Sequence, residues 1–225
     1  KVGTLDSWLM WRLGGLHLTD PTQAAITGLT DTTAAIWDPQ RCAIFGVDPA
    51  MLPDIVDTVG ARGAATALPG APPIVASVGD QQASMAGQGC VVPGRVKMTF
   101  GTGGMADVVT GPLGPSHMRR SDGGTFPIAT STTAGITTWG AEAVMLSAGS
   151  CVEWLCEDLG IIDTPEDSHV VASACDDTGG VIFVPALMGL GTPRWDFGAR
   201  GTLLGLTRGS ASPPMMSSGV LPFST

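Results

Sequence analysis

The run Ala71-Pro72-Pro73-Ile74-Val75-Ala76-Ser77-Val78, closed by Gly79-Asp80-Gln81-Gln82-Ala83, constrains this chain more than any other stretch. An apolar run bounded by prolines and a glycine reads as a buried strand, and residues 81–89 carry helix formers. Asp80 then stands where a strand ends and a helix begins, the usual place for chemistry in an α/β protein. The positive end of the helix dipole favours its ionised carboxylate. Downstream lies Thr99-Phe100-Gly101-Thr102-Gly103-Gly104, with residues 96–100 reading as a strand into that turn and residues 105–110 as a strand out of it. The glycines let backbone N–H groups approach an anion, and Thr102 adds a hydroxyl. A carboxylate base and an anion-holding turn together fit phosphoryl transfer to an alcohol. Each piece also has a plainer reading. Asp80 also fits a helix cap, residues 101–104 an ordinary hairpin turn, and Gln81 and Gln82 solvated helix positions.

Further blocks fall in order along the chain. Gly3-Thr4-Leu5-Asp6-Ser7-Trp8-Leu9-Met10-Trp11-Arg12-Leu13 opens it, followed by Leu18-Thr19-Asp20, Ile36-Trp37-Asp38 and Met51-Leu52-Pro53. After the two blocks above come Val184-Pro185-Ala186-Leu187-Met188-Gly189-Leu190-Gly191-Thr192-Pro193-Arg194-Trp195-Asp196, then Ala199-Arg200-Gly201 and Gly205-Leu206-Thr207-Arg208-Gly209. This series resembles the FGGY family of carbohydrate kinases. The resemblance implies an α/β, actin-like ATPase (ribonuclease H-like) fold, with parts of two domains flanking a cleft. Residues 1–90 would be the C-terminal part of the substrate-side domain and residues 91–209 the N-terminal part of the nucleotide-side domain. Family features expected before and after these blocks have no counterpart here: an N-terminal phosphate loop, an early Arg-Glu pair and a later adenosine-cradling segment. The expectation is therefore a central fragment.

The same resemblance implies ATP-dependent phosphorylation of a polyol or sugar hydroxyl, with ATP and Mg²⁺ as cofactors and a homo-oligomeric assembly. The Gly-Asp-Gln-Gln-Ala form points to glycerol. The alternatives are a xylulokinase-like sugar kinase and a catalytically inactive fragment. Asp80 takes the role of catalytic base and substrate ligand, and Gln81 that of an amide bonding a neighbouring hydroxyl. Gly101, Thr102 and Gly103 would contact phosphates, and Gly149 the nucleotide. Three departures from the family pattern touch the site. Pro21 and Met105 stand at substrate-flanking positions where glycerol-type members carry Tyr and Phe, and Glu153 stands on the nucleotide side in place of Gln.

Composition narrows the classes. With 11 basic against 20 acidic residues the net charge is −9, which disfavours non-specific nucleic-acid binding. No run approaches the apolar length of a membrane span, and no signal peptide is evident. Five irregularly spaced cysteines without a CxxC pair read as inert thiols in a reducing cytoplasm. Three scattered histidines give no metal site.

Local patterns add detail. Residues 4–13 form a helix with Leu5, Trp8, Leu9, Trp11 and Leu13 at helical spacing, ended by Gly14-Gly15. Residues 19–29 are a helix or loop broken by Pro21, residues 39–45 a short helix, and residues 52–70 loop-rich. Val91-Val92-Pro93-Gly94 reads as a turn and domain boundary. Residues 126–140 read as sheet, and residues 142–159 as the clearest amphipathic helix. Residues 181–185 read as a buried strand. Trp139, Trp154 and Trp195 read as packing residues. The tail, residues 210–225, holds three prolines where the family continues into a long helix, and reads as a frameshifted or degenerate end.

Overall fold

A computed structural model describes residues 1–117 and 119–207. The expectation for residues 210–225 lies outside the described residues. The chain divides into two compact units. The first comprises residues 1–97, 107–121 and 126–142, and the second residues 98–106, 122–125 and 143 onward.

The first unit opens with helix α1 (Leu5–Gly14), ended by Gly15 in the left-handed conformation at φ 70°. Its apolar residues do not face a core: Leu5, Trp8, Leu9 and Trp11 are exposed, whereas Met10, Asp6 and Ser7 are buried. Helical spacing identified the helix, but not the side that this chain buries. Strand β1 (Leu18–Thr19) pairs in parallel with β2 (Asp54–Ile55).

Three short helical segments share one local device. Helix α2 (Pro21–Ile26), helix α3 (Pro39–Ile44) and the 3₁₀ turn Pro49–Met51 each begin with proline at the first helical position, after Asp20, Asp38 and Asp48. Each aspartate accepts backbone N–H bonds from the first turn, and each proline supplies a preset φ where no N–H is needed. Pro21 therefore starts a helix rather than breaking one.

Strands β3 (Val59–Ala64) and β4 (Pro73–Ala76) form a two-stranded antiparallel sheet. The proline-bounded run thus does contain a strand, but not a buried one, because Val75 is 56% exposed. The loop-rich reading of residues 52–70 likewise misses β2 and β3, whose glycines (Gly60 and Gly63 both at positive φ) hide the strand signal. Helix α4 (Asp80–Gly87) follows as expected.

The largest sheet has strand order β5-β6-β8-β7, from β5 (Val96–Phe100), β6 (Gly104–Gly111), β7 (Phe126–Thr133) and β8 (Ile136–Met145). The chain passes between the units within β5, β6 and β8. Strands β7 and β8 pair antiparallel, with an irregularity between Ala129 and Ser131. In the first unit Met85, Cys90, Val109 and Ile128 form one apolar cluster, and Ala34, Ala129 and Trp139 another.

In the second unit, helix α5 (Gly149–Glu157) packs Cys151 and Leu155 against Ile162, Phe183 and Leu187. The amphipathic reading of residues 142–159 holds only from Gly149 on, since Glu142 to Met145 belong to β8. Val144 and Met145 suit a strand as well as a helix face, so periodicity alone could not separate them. Helix α6 (Asp167–Ala172) and the antiparallel pair β9 (Ile182–Val184) and β10 (Thr202–Leu204) complete the unit. In β9, Ile182 is exposed, and it is the preceding Val181 that is buried. Trp154 stacks on Phe183 with centroids 5.6 Å apart, in keeping with a packing role. Among the described residues no helix is long and apolar enough to cross a membrane.

Candidate functional site

The first unit places Asp80 at the first position of α4, exposed to solvent, with Gly79 as the cap residue. Asp80 Oδ1 accepts the Gln81 backbone N–H at 2.8 Å. That bond uses one of the four N–H groups a helix start leaves unpaired, and it fixes the carboxylate beside the positive end of the helix. Gln81 is half-buried, and its side-chain carbonyl accepts a hydrogen bond from Lys97 Nζ.

A buried network supports the turn that carries Asp80. Thr22 Oγ1 accepts the Gly79 N–H at 2.8 Å and donates to Asp20 Oδ1 at 2.7 Å. Thr58 Oγ1 donates to Asp20 Oδ2 at 2.7 Å and accepts the Thr132 N–H at 2.9 Å. Burial raises the Asp20 carboxyl above the usual carboxylate range, while the bonds from Thr58, Thr22 and Gln23 pull it back. A Cβ on Gly79 would lie 2.5 Å from Gln82 Oε1, so that side chain would have to shift to admit one. Pro21, beside Asp20, is fully buried.

The second unit holds the glycine turn. Gly101 and Thr102 are exposed, Gly103 is half-buried, and Gly101 N–H donates to Gly103 O at 2.9 Å. The start of α5 is built onto this turn. Gly149 N–H donates to Gly101 O at 2.7 Å, and the Ala148 and Ser150 N–H groups donate to Thr102 O at 2.9 and 3.2 Å. These helix-start amides are therefore satisfied by the turn's carbonyls. A Cβ on Gly149 would lie 2.6 Å from Gly101 O, and one on Gly103 would lie 2.8 Å from Met145 O. Glycine is needed at both positions for close backbone approach. Glu153, one helical turn after Gly149, is exposed, and Met105 is half-buried.

The arrangement suits an anion. The Gly101 and Thr102 carbonyls are bonded to the start of α5, and Thr102 itself is exposed. The hydroxyls of Thr99, Ser147 and Ser150 are buried without a hydrogen-bond partner in the same unit.

Comparison with known proteins identifies the scaffold. The profile of the FGGY family of carbohydrate kinases, N-terminal domain, matches residues 1–87, and that of the C-terminal domain matches residues 96–221. The chain belongs to the FGGY family.

Curated FGGY relatives include the glycerol kinase of Gloeobacter violaceus, 40% identical over 216 residues, covering 93% of this chain and 42% of the relative. The glycerol kinase of Rhodospirillum centenum is 42% identical over 214 residues, covering 92% and 42%. Among solved structures, Plasmodium falciparum glycerol kinase with ADP superposes with TM-score 0.86 at 29% identity, covering 97% of this chain and 44% of that one. A xyloylose kinase from Brucella ovis superposes with TM-score 0.80 at 26% identity, covering 96% and 43%. The chain thus spans less than half the length of the relatives it matches. Its fold is the actin-like ATPase fold of these kinases.

Against this FGGY scaffold, sequence reasoning missed the residues that hold the named ones in place. Thr22, Asp20, Lys97 and Asp107 are all buried polar groups. Nothing in their local pattern marks them except a charged residue inside each of two strands.

Proposed function

We propose that this chain carries the acceptor-side and phosphate-side parts of an ATP-dependent kinase that phosphorylates a polyol hydroxyl, glycerol first. The observation that carries the reading is the exposed Asp80 carboxylate at the start of α4, with one oxygen fixed by the Gln81 backbone N–H. The glycerol kinases at about 40% identity support the same substrate class.

In this reading the acceptor hydroxyl donates to Asp80 Oδ2. As its oxygen bonds to the terminal phosphorus, the bond from that phosphorus to the bridging oxygen breaks and the proton passes to Asp80. ATP would supply the phosphoryl group, and Mg²⁺ arriving with it would neutralise phosphate charge. Gly101, Thr102 and Gly103 would hold phosphate oxygens through N–H groups and the Thr102 hydroxyl. Gly149 keeps its place at the turn because nothing larger fits, and Glu153 lies on the nucleotide side.

A sugar acceptor is the second reading, favoured by two residues. Buried Pro21 and half-buried Met105 offer neither the hydroxyl nor the aromatic wall that the glycerol pattern carries there. A panel of glycerol, erythritol, xylulose and ribulose with ATP separates the two readings. Glycerol turned over fastest supports the first, and xylulose or ribulose fastest replaces it with the second. No transfer to any acceptor by a cooperatively folded chain would leave an inactive fragment.

A further inference from the structure

The first unit contains a buried charge cluster outside the residues assigned above. Lys97 on β5 is 2% exposed and Asp107 on β6 is 0% exposed, with Lys97 Nζ 3.1 Å from Asp107 Oδ2. A second N–H of the same ammonium donates to Gln81 Oε1 on α4. Glu142 on β8 lies within hydrogen-bonding reach of Asp107. Its carboxyl is raised above the usual range by burial first, then by the charge of Asp107 and the hydrogen bond to it, with Lys97 opposing. Asp107 Oδ1 is buried without a hydrogen-bond partner. Lys97 and Asp107 balance each other's charge, which is the condition for burying such a pair.

The consequence lies at Gln81. An ammonium only donates, so it binds the amide through oxygen and never through nitrogen. Because the amide is planar, turning Oε1 inward to buried Lys97 presents the NH₂ edge on the other side. A glutamine amide is ordinarily free to flip, and here the flip would set two donors against each other. Taking Asp80 and Gln81 as the acceptor site, as proposed above, we infer that Lys97, anchored by Asp107, is a positioning residue that fixes the Gln81 amide as a hydrogen-bond donor toward the acceptor alcohol. Two adjacent hydroxyls of a polyol are then told apart. One gives its proton to Asp80, and its neighbour accepts from Gln81.

The test is glycerol affinity of the 225-residue chain by calorimetric titration, with melting temperature read in parallel. Lys97→Met/Asp107→Leu removes both charges together and keeps the volume apolar, so no lone buried charge remains. The expected result is glycerol binding weakened about tenfold, the worth of one hydrogen bond, with no further loss when the same pair is changed in a Gln81→Ala background. Equal affinity in the double variant overturns the inference, and so does an equal loss in both backgrounds, which would mark a general structural role. Gln81→Glu leaves the core pair intact and decides the matter if the double variant does not fold. It should weaken glycerol about as much, since a carboxylate offers no donor, and wild-type affinity in it would overturn the inference. If the unaltered chain binds no glycerol, the acceptor-site reading itself fails and this inference with it.

Discussion

The surroundings of Asp80 and of Thr102 are built by opposite means. Around Asp80 the work is done by side chains. Thr22 holds the Gly79 N–H, Asp20 holds Thr22, and Lys97 holds the Gln81 amide. Around Thr102 it is done by backbone, with Gly101 and Thr102 carbonyls bonded to the first N–H groups of α5. A side-chain network carries ionisable groups, so it responds to pH and can be altered one atom at a time. A backbone junction has no such handle, and changes only when a glycine is filled.

The sharpest way to break the side-chain half is Asp107→Ala, which leaves Lys97 buried without its anion. Removing one partner of a buried pair costs about 3–5 kcal/mol. Denaturant unfolding of the variant should show a loss of that size, well above that of Lys97→Met/Asp107→Leu. Equal losses would show that the pair is not buried as described.

For the backbone half, Gly149→Ala forces a Cβ to 2.6 Å from Gly101 O. Overpacking of this kind costs about 1–3 kcal/mol. Nucleotide affinity should fall in a direct titration, and unchanged affinity would show that Gly149 has no part in holding the turn. Thr22→Val removes the acceptor of the Gly79 N–H and one donor to Asp20, at about 1–2 kcal/mol for a buried network bond. Its effect should appear in glycerol affinity and not in nucleotide affinity.

The smallest effect is the pH response. Glu142 and Asp20 both have carboxyls raised in the folded chain, so between their ordinary and raised values the folded state binds more protons than the unfolded one. Their contribution to stability is therefore complete below the ordinary carboxylate range and is lost as pH rises through the raised values. Glu142→Gln should flatten part of that decline in a series of melts across pH. An unchanged slope would place the titration elsewhere.

Much of this was legible in the sequence, and the gaps have physical reasons. Asp80 at a helix start and the strand–turn–strand around Thr102 follow from local chemistry: a glycine before the helix, and glycines where the chain turns. What burial would choose was not legible. Val75 of β4 read as buried because an apolar run reports composition, and the spacing in α1 reports which residues share a side; neither says what this chain covers. Pro21 read as a breaker because proline's meaning depends on the aspartate before it. Lys97 and Asp107 stand five residues either side of Thr102, so the hairpin sets opposite charges across from each other. That signal was present in the sequence, but only a hairpin register gives it meaning.

The most direct test of the account is the initial rate of phosphoryl transfer from ATP to glycerol by the chain and by Asp80→Asn, with glycerol affinity measured on both. Asparagine keeps the shape and cannot take a proton. The account predicts a rate lower by about 10²–10⁴ in the variant, the range attributed to a positioned base. Glycerol should still bind. Equal rates in the two proteins would contradict it, and would remove Asp80 from the chemistry.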